Sequence, residues 1–202
     1  MGNKKEVWFI TGASTGFGLD LTKSLLQNGH QVAAVSDNNQ PGWMADACWS
    51  TEDLLRLDAD LTIEDSVELA IRQTIYQFGR IDVVVNYGGN DLSAPVEMLS
   101  ECAIRQYFEV NLFGRYHVLK HVMPYLRKQG SGIILHYSSA AVVAAIAGSP
   151  IYTATKLAIE SLSEVLTANM AAIGIQQTLI EPADLRRRPQ DFFRSKQQMA
   201  LV

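Results

Sequence analysis

Short apolar runs alternate along this chain with longer segments whose apolar residues recur at helical spacing. The apolar runs predict six strands, at 7–11, 31–35, 54–57, 81–86, 132–137 and 175–180. Because helical segments follow most of these strands, right-handed crossovers can join them into one parallel sheet with helices on both faces. The sequence therefore predicts an α/β fold with a doubly wound parallel sheet in the strand order 3-2-1-4-5-6.

Four segments carry the helical periodicity, at 16–28, 63–78, 100–127 and 152–172. Pro124 lies inside the third of them, where its missing backbone N–H predicts a kink or a late break. The stretch 36–51 between the second and third strands shows no such period. We expect it to be an irregular connection whose tryptophans cover the edge of the sheet.

The composition fits a single domain over residues 1–202, because a chain of this length buries roughly 70% of its unfolded surface in one core. A net charge of −4, from 17 basic and 21 acidic side chains, argues against nucleic acid as a partner. The polar start lacks the features of a signal peptide, and no apolar run reaches the ~20 residues of a membrane span. Cys48 and Cys102 form no CxxC pair, so we expect a soluble cytoplasmic protein without membrane contact.

A glycine-rich turn joins the first strand to the first helix, with the spacing Thr-Gly-x-x-x-Gly-x-Gly over 11–18. Gly12 permits a tight turn, Gly16 lets a ligand approach the backbone, and Gly18 lets the helix pack on the sheet. The free N–H groups at the helix start suit a pyrophosphate, although a tight turn without a ligand is the alternative. The predicted dinucleotide contacts in this turn are Gly12, Ser14, Thr15, Gly16, Phe17 and Gly18.

This turn resembles that of the short-chain dehydrogenase/reductase family, and the resemblance runs from about 7 to 182. Asp60, in Asp60-Leu61-Thr62, matches the family's acidic residue at the adenine, and Asn86-Tyr87-Gly88-Gly89 stands where the family usually has Asn-Asn-Ala-Gly. The resemblance implies a Rossmann-like fold that binds NAD or NADP. It implies further cofactor contacts at Asp60, Leu61, Asn86, Gly88 and Pro182.

Four residues match the catalytic tetrad of that family in chain order: Asn111, Ser139, Tyr152 and Lys156. Tyr152 and Lys156 are four apart, so they share one helix face, where the ammonium would favour the phenolate and make Tyr152 a general acid/base. By resemblance, Ser139 holds the substrate oxygen, Lys156 also grips the nicotinamide ribose, and Asn111 helps to carry protons to water. Taken singly, these residues also fit a turn serine, a helix-bending amide and a half-buried aromatic.

The sequence departs from the family pattern in two places. Tyr87 and Gly88 replace an asparagine and an alanine, and Ala183 and Arg187 stand where a glycine and a nicotinamide-binding threonine are usual. The chain stops at Val202, so we expect a shortened C-terminus, with the seventh strand missing and 183–202 forming part of a substrate lid.

The expected function is an NAD(P)-dependent oxidoreductase that interconverts an alcohol and a ketone or aldehyde. The alternative is a catalytically weak dinucleotide-binding sensor or assembly subunit. Asp37 at the end of the second strand predicts NAD as the cofactor, with NADP as the alternative, since an acidic side chain repels a 2′-phosphate.

Two further expectations concern partners and metals. By resemblance, the helices at 100–127 and 152–172 pair across subunits, which predicts a homodimer or homotetramer. His117 and His121 have the i,i+4 spacing of a helical metal pair, but no third ligand accompanies them, so we expect no metal.

Overall fold

The computed structural model describes residues 5–37, 49–89, 96–138 and 150–180. Four predictions fall outside these residues: the roles of Ser139 and Pro182, the lid segment 183–202, and the missing seventh strand.

The described strands form one parallel sheet in the order β3-β2-β1-β4-β5-β6, which confirms the predicted topology. Their bounds are β1 Val7–Thr11, β2 Gln31–Ser36, β3 Leu54–Asp58, β4 Val83–Asn86, β5 Gly132–Tyr137 and β6 Ile175–Ile180. Strands β1 and β4 are buried along their whole length, as expected of central strands covered on both faces.

The helices are α1 Gly16–Gln27, α2 Glu64–Phe78, α3 Glu101–Phe108, α4 Gly114–Gln129 and α5 Pro150–Ala171. A short 3₁₀ turn spans Val96–Met98, and a π-helical segment, Glu109–Phe113, joins α3 to α4. Within the described residues, no helix is long and apolar enough to cross a membrane.

The predicted helix at 100–127 differs from the structure in two respects. The π-helical segment interrupts it, and the predicted break at Pro124 is wrong, because α4 continues to Gln129 and ends at Gly130 with φ 65°. Val118, Val122 and Leu126 of α4 are fully buried. Their burial offsets the single backbone hydrogen bond that Pro124 cannot donate.

Two apolar layers hold the helices on the sheet. One includes Phe9, Ile71 and Val122 and lies on the side of α2 and α4, whereas the other includes Trp8 and Leu21 and lies on the side of α1. Trp49 packs against the second layer, as predicted for a tryptophan of the irregular connection.

Candidate active site

The carboxyl ends of the strands meet along one edge of the sheet. Thr11 of β1 pairs with Val35 of β2 and Asn86 of β4, and Asn86 pairs with His136 of β5. The residues that follow these strands are therefore brought together, at the edge where ligands bind in open α/β sheets.

The glycine-rich turn packs directly on the segment after β4. Gly12 has φ 68°, and a Cβ on it would lie 2.9 Å from the Cα of Gly88. The N–H of Gly88 donates to Oγ1 of Thr11 at 3.1 Å, and that hydroxyl donates to the carbonyl of Val85 at 3.3 Å. The close approach explains the need for glycine at position 12, and Thr11 connects the two segments.

Gly18 lies where α1 packs on the glycine-rich turn. A Cβ on this residue would lie 2.1 Å from the carbonyl oxygen of Gly12, so the first turn of α1 rests against the glycine-rich turn itself. The sequence predicts packing on the sheet at this position, whereas the contact found is with the turn that follows β1, and the predicted cofactor contact stays a prediction.

A cleft of about 320 Å³ opens beside the glycine-rich turn. It runs between the ends of β2 and β3 and the segment after β4. The predicted cofactor contacts in its walls are Gly12, Ser14, Thr15, Asp37, Asp60, Leu61 and Gly88. The remaining predicted cofactor contacts that the structure describes lie outside those walls: Gly16, Phe17, Gly18, Asn86, Tyr152 and Lys156.

Two carboxylates mark this cleft. Asp37 follows β2 and is exposed, in the position from which the sequence predicts contact with the adenosine ribose. Asp60 follows β3. Its Oδ1 accepts hydrogen bonds from two groups of Thr62, the backbone N–H at 2.8 Å and the side-chain hydroxyl at 2.7 Å. Asp60 therefore also shapes the turn that precedes α2.

Asn86 lies beneath the cleft. Its side chain is fully buried, and its Nδ2 lies 3.5 Å from Nδ1 of His136. Burial, followed by the positive charge of Arg115, lowers the pKa of His136 to about 3, so this ring is neutral at physiological pH. The Asn86 side chain is thus buried, and the cofactor contact predicted for Asn86 stays a prediction.

Asn111 lies in the π-helical segment and is fully buried. A Cβ on Gly89 would lie 2.3 Å from its Oδ1, so a side chain at position 89 would force the Asn111 amide to move. Helix α5 packs against the same segment. Single-turn π segments are frequent at functional sites, and this one places Asn111 between the segment after β4 and α5.

Tyr152 and Lys156 lie on the first turns of α5 and are brought together as predicted. Lys156 is buried, and its Nζ lies 5.2 Å from the centroid of the Tyr152 ring. The same ammonium donates to the carbonyl of Tyr137, at the end of β5, at 3.5 Å. The positive charge is therefore held between the tyrosine ring and the sheet.

Arg115 is a residue that the sequence reasoning missed. It is fully buried, and it donates from Nη1 to the carbonyl of Tyr137 at 2.8 Å and from Nη2 to that of Gly88 at 3.5 Å. Its Nε has no hydrogen-bond partner among the described residues. Burial lowers the pKa of this guanidinium to about 10, with the nearby Tyr152 opposing the shift, so it stays charged at neutral pH.

Arg115 lies on the first turn of α4, directly after the π-helical segment that holds Asn111. Its guanidinium bridges the segments after β4 and β5, and with Lys156 it gives the site two buried positive charges.

Ser138 follows β5 and directly precedes the predicted catalytic serine. Its hydroxyl is buried and donates a short hydrogen bond to Oε1 of Glu160 on α5. Ser138 therefore ties the end of β5 to the helix that carries Tyr152 and Lys156.

His117 and His121 make contacts with α2 and the turn before it. Nδ1 of His117 lies 2.9 Å from the carbonyl of Leu61, and Nε2 of His121 lies 2.9 Å from Oε1 of Glu64, which also accepts from Lys120. Hydrogen bonds from Lys120 and His121 lower the pKa of Glu64. Across the described ranges no cluster of metal-ligating side chains occurs, and these contacts hold α4 against α2.

Comparison with known proteins agrees with this architecture. The profile of the family described as short chain dehydrogenase matches residues 6–197. Oxidoreductase BOA17 of Botryotinia fuckeliana (strain B05.10) is 34% identical over 181 residues, which cover 90% of this chain and 66% of that relative. The chain thus spans about two thirds of the length of this relative.

Two solved structures share the fold. ElxO with NADP bound has a TM-score of 0.81 and 25% identity, over 89% of this chain and 73% of that one. The 3-ketoacyl-(acyl-carrier-protein) reductase from Brucella melitensis complexed with NADH has a TM-score of 0.81 and 25% identity, over 88% of this chain and 74% of that one. With a family profile that covers nearly all of its length and a sheet in the expected order, this chain belongs to the short chain dehydrogenase family.

Proposed function

We propose that this chain binds a nicotinamide dinucleotide and interconverts an alcohol and a ketone or aldehyde. One observation carries the proposal: Lys156 is buried with its ammonium 5.2 Å from the Tyr152 ring, at the sheet edge that also holds the glycine-rich turn. The phenol proposed to transfer a proton and the proposed dinucleotide site thus lie at the same edge of the sheet.

The residues of the cleft fit such a cofactor. Gly12 and Gly88 approach each other closely and carry no side chains, so their backbone groups face the cleft. We assign the adenosine part to Asp37, Asp60 and Leu61, and the nicotinamide ribose to Tyr152 and Lys156. Pro182 and Ser139 keep the roles implied by the family resemblance. The bound NADP and NADH of the two structural neighbours support the class of cofactor.

The reaction needs a hydride and a proton. A bound reduced nicotinamide supplies the hydride to the carbonyl carbon. Tyr152 donates its hydroxyl proton to the carbonyl oxygen, and in the reverse direction it takes that proton back from the alcohol. Lys156 and Arg115 place positive charge beside Tyr152.

Asn111 has a supporting role in this scheme. We assign it, with Lys156, to a path that returns a proton from water to Tyr152. Its place between Gly89 and α5 supports this assignment, because the amide lies beside the helix that carries both residues.

The experiment that tests this function combines NADH binding with turnover on a panel of small and lipophilic ketones and aldehydes. Binding is measured by calorimetry, and turnover by loss of the absorbance of the reduced nicotinamide. We expect both. NADH binding without turnover on any carbonyl would instead favour a dinucleotide sensor or assembly subunit, the alternative that Ala183 and Arg187 support by replacing the usual glycine and threonine.

NAD is the proposed cofactor, rather than NADP. Asp37 lies in the wall of the cleft, where its carboxylate would accept hydrogen bonds from a ribose 2′-OH and repel a 2′-phosphate. We expect NADH to bind at least ~10-fold more tightly than NADPH, and Asp37→Asn to reduce that ratio. Calorimetric titration of both proteins with NADH and NADPH measures this ratio of affinities.

A control variant distinguishes this effect from a change in overall charge. Asp58 is an exposed carboxylate at the end of β3 that lies outside the walls of the cleft. Asp58→Asn should leave the NADH to NADPH ratio unchanged. Tighter binding of NADPH than NADH by the unmodified chain would refute the preference.

Residues 1–202 form, in this proposal, one dinucleotide-binding domain that includes the catalytic residues, with 183–202 contributing to the cover over the substrate. The described elements support a single domain because they share one sheet. We place the protein in the cytoplasm, since the exposed free thiol of Cys102 suits a reducing compartment.

Helices α4 and α5 offer the surface for a second copy of this chain. A groove of about 560 Å³ runs between them, lined by Tyr116, Leu119, Met123, Leu162 and Leu166 among others.

We expect a dimer or tetramer in solution, and Tyr116→Asp should yield a monomer, as measured by light scattering at micromolar concentration. Tyr76→Asp on the exposed face of α2 should leave the mass unchanged, and a monomeric unmodified chain would contradict the proposal.

A further inference from the structure

The guanidinium of Arg115 is completely buried at the edge of the sheet that carries the proposed active site. Within the part of the chain that the structure describes, Arg115 forms no ion pair with a carboxylate, and its Nε has no hydrogen-bond partner. Burial of a positive charge without a counter-ion is unfavourable. The groups that Arg115 does contact therefore indicate what this charge does in the protein.

Both hydrogen bonds of Arg115 end on backbone carbonyls near the ends of neighbouring strands. Nη1 donates to the carbonyl of Tyr137, the last residue of β5, at 2.8 Å, and Nη2 donates to that of Gly88, after β4, at 3.5 Å. Strands β4 and β5 pair directly in the sheet. A guanidinium can reach both carbonyls at once because its N–H groups point outward from a rigid planar fork. Arg115 therefore fixes the spacing of these two segments.

The Gly88 end of this bridge belongs to the cofactor cleft. Gly88 is buried and lines the cleft, and its N–H donates to Oγ1 of Thr11 at 3.1 Å. Its N–H is thus held by β1 and its carbonyl by Arg115. Nη2 of Arg115 also lies 3.7 Å from the point where a Cβ on Gly89 would be. The guanidinium therefore supports this wall of the cleft through two successive glycines.

The Tyr137 end of the bridge belongs to the proposed catalytic residues. The same carbonyl accepts a second hydrogen bond, from Nζ of Lys156, at the longer distance of 3.5 Å. Because hydrogen bonds weaken with distance, the guanidinium is the main donor to this oxygen and the ammonium is held there only loosely. The two like charges also repel each other across the shared oxygen. Arg115 thereby leaves the ammonium of Lys156 available to Tyr152, whose ring centroid lies 5.2 Å away.

We propose that Arg115 is a positioning residue of the reaction, whose bridge between two backbone carbonyls sets the place of the cofactor relative to Lys156 and Tyr152. The inference rests on the proposed function, because it assumes a cofactor in the cleft and a proton transfer at Tyr152. Hydride transfer requires the nicotinamide, the carbonyl carbon and the phenol to be aligned, and a displacement of about 1 Å can cost about 100-fold in rate. In this proposal Arg115 acts through the backbone and is not itself a catalytic residue.

Arg115→Met tests the inference, because it keeps a long side chain in the core and removes every donor. We expect single-turnover reduction of the best carbonyl substrate to slow by about 10- to 100-fold in this variant. Stopped-flow loss of NADH absorbance, with the protein in excess over NADH, measures the rate constant. NADH affinity, measured by calorimetry, should change by no more than about threefold, because Gly88 keeps its hydrogen bond to Thr11.

The single-turnover design distinguishes positioning from a purely structural role. Unfolded molecules hold no NADH, so every observed reaction takes place on a folded, cofactor-loaded molecule. A variant that is only less stable would show a smaller active fraction with an unchanged rate constant. We expect the rate constant itself to fall, and chemical denaturation measures the change in stability separately.

Arg115→Lys separates the bridge from the charge. Lysine keeps the positive charge, but its single ammonium lacks the fork that reaches two carbonyls. We expect its rate constant to stay at least about fivefold below that of the unmodified chain. Because it retains a donor for one carbonyl, this variant keeps the inference testable where Arg115→Met does not fold.

Arg72→Met is the matched control. Arg72 lies on α2, where its side chain is 67% exposed and pairs with Glu68. It should react and bind NADH like the unmodified chain.

The outcomes separate this inference from the proposed function. Slowing of less than about tenfold in Arg115→Met, or of less than about fivefold in Arg115→Lys, overturns the inference and leaves the function standing. A loss of NADH affinity above about threefold in both variants also overturns it, because Arg115 would then act on binding rather than alignment. Failure of the unmodified chain to reduce any carbonyl overturns both.

Discussion

Replacement of Tyr152 by phenylalanine is expected to lower turnover by at least ~100-fold, the usual scale for loss of a general acid/base. The change removes only the hydroxyl, so the ring remains beside the ammonium of Lys156. Backbone contacts of the helix are also retained, including the hydrogen bond from the Thr155 hydroxyl to the Tyr152 carbonyl at 2.7 Å. NADH affinity should change by no more than about twofold, because the substitution removes one contact to the nicotinamide ribose and leaves Lys156 and the walls of the cleft unchanged.

Steady-state turnover of the best carbonyl substrate, together with calorimetric titration of NADH, measures the two effects separately. Tyr76→Phe is a matched control. The Tyr76 side chain lies on α2, is 92% exposed and has no proposed role in the reaction. It should behave like the unmodified chain. Near-normal turnover by Tyr152→Phe would remove Tyr152 from the mechanism, and a parallel loss of NADH binding would assign it a structural role instead.

Gly18→Ala is expected to destabilise the fold and to weaken dinucleotide binding by more than ~10-fold. Alanine is the better helix former, so within α1 alone the substitution would stabilise by about 1 kcal/mol. The new Cβ, however, would lie 2.1 Å from the carbonyl oxygen of Gly12 and 2.9 Å from its carbon. Both neighbours are backbone atoms, so the helix must move away from the turn, and we expect a net loss of about 1–3 kcal/mol of unfolding free energy, as for overpacking in a core.

Gly29→Ala is the control for this variant. Gly29 has φ 80°, with no atom within 4 Å of the added Cβ, so the change introduces backbone strain without a clash. It should lower the stability modestly and leave NADH affinity unchanged. Chemical denaturation and NADH titration measure both variants, and wild-type affinity in Gly18→Ala would show that the contact with Gly12 does not shape the cofactor site.

Much of the fold could be predicted because its signals are local. The predicted bounds of β5 and β6 agree with the structure, and those of α1 and α2 agree within one residue. The region 100–127 could not be predicted as well, because helical periodicity does not distinguish an α-helix from one interrupted by a π segment. That interruption depends on what Asn111 meets in space, and Gly89 lies far from it in sequence.

The candidate site shows the same division. The glycine-rich turn could be predicted from the sequence because it lies within one loop. The pairing of Tyr152 and Lys156 could be predicted because the two residues are one helical turn apart. Arg115 was missed because its partners are the carbonyls of Tyr137 and Gly88, which are 22 and 27 residues away. A basic side chain on an amphipathic helix is ordinarily solvated, so burial could not be expected from its neighbours in sequence.

The position of the glycine-rich turn and the face shared by Tyr152 and Lys156 could be predicted from the sequence, because strand and helix periods are set by the local backbone. The strand order could be predicted because right-handed crossovers allow few arrangements. Contacts between distant residues bury Arg115 against the carboxyl ends of β4 and β5. They also bring together the rings of Phe17, Tyr87 and Tyr137. These contacts join residues from separate elements, and their geometry exists only once the parallel sheet has brought the carboxyl ends of its strands to a single edge.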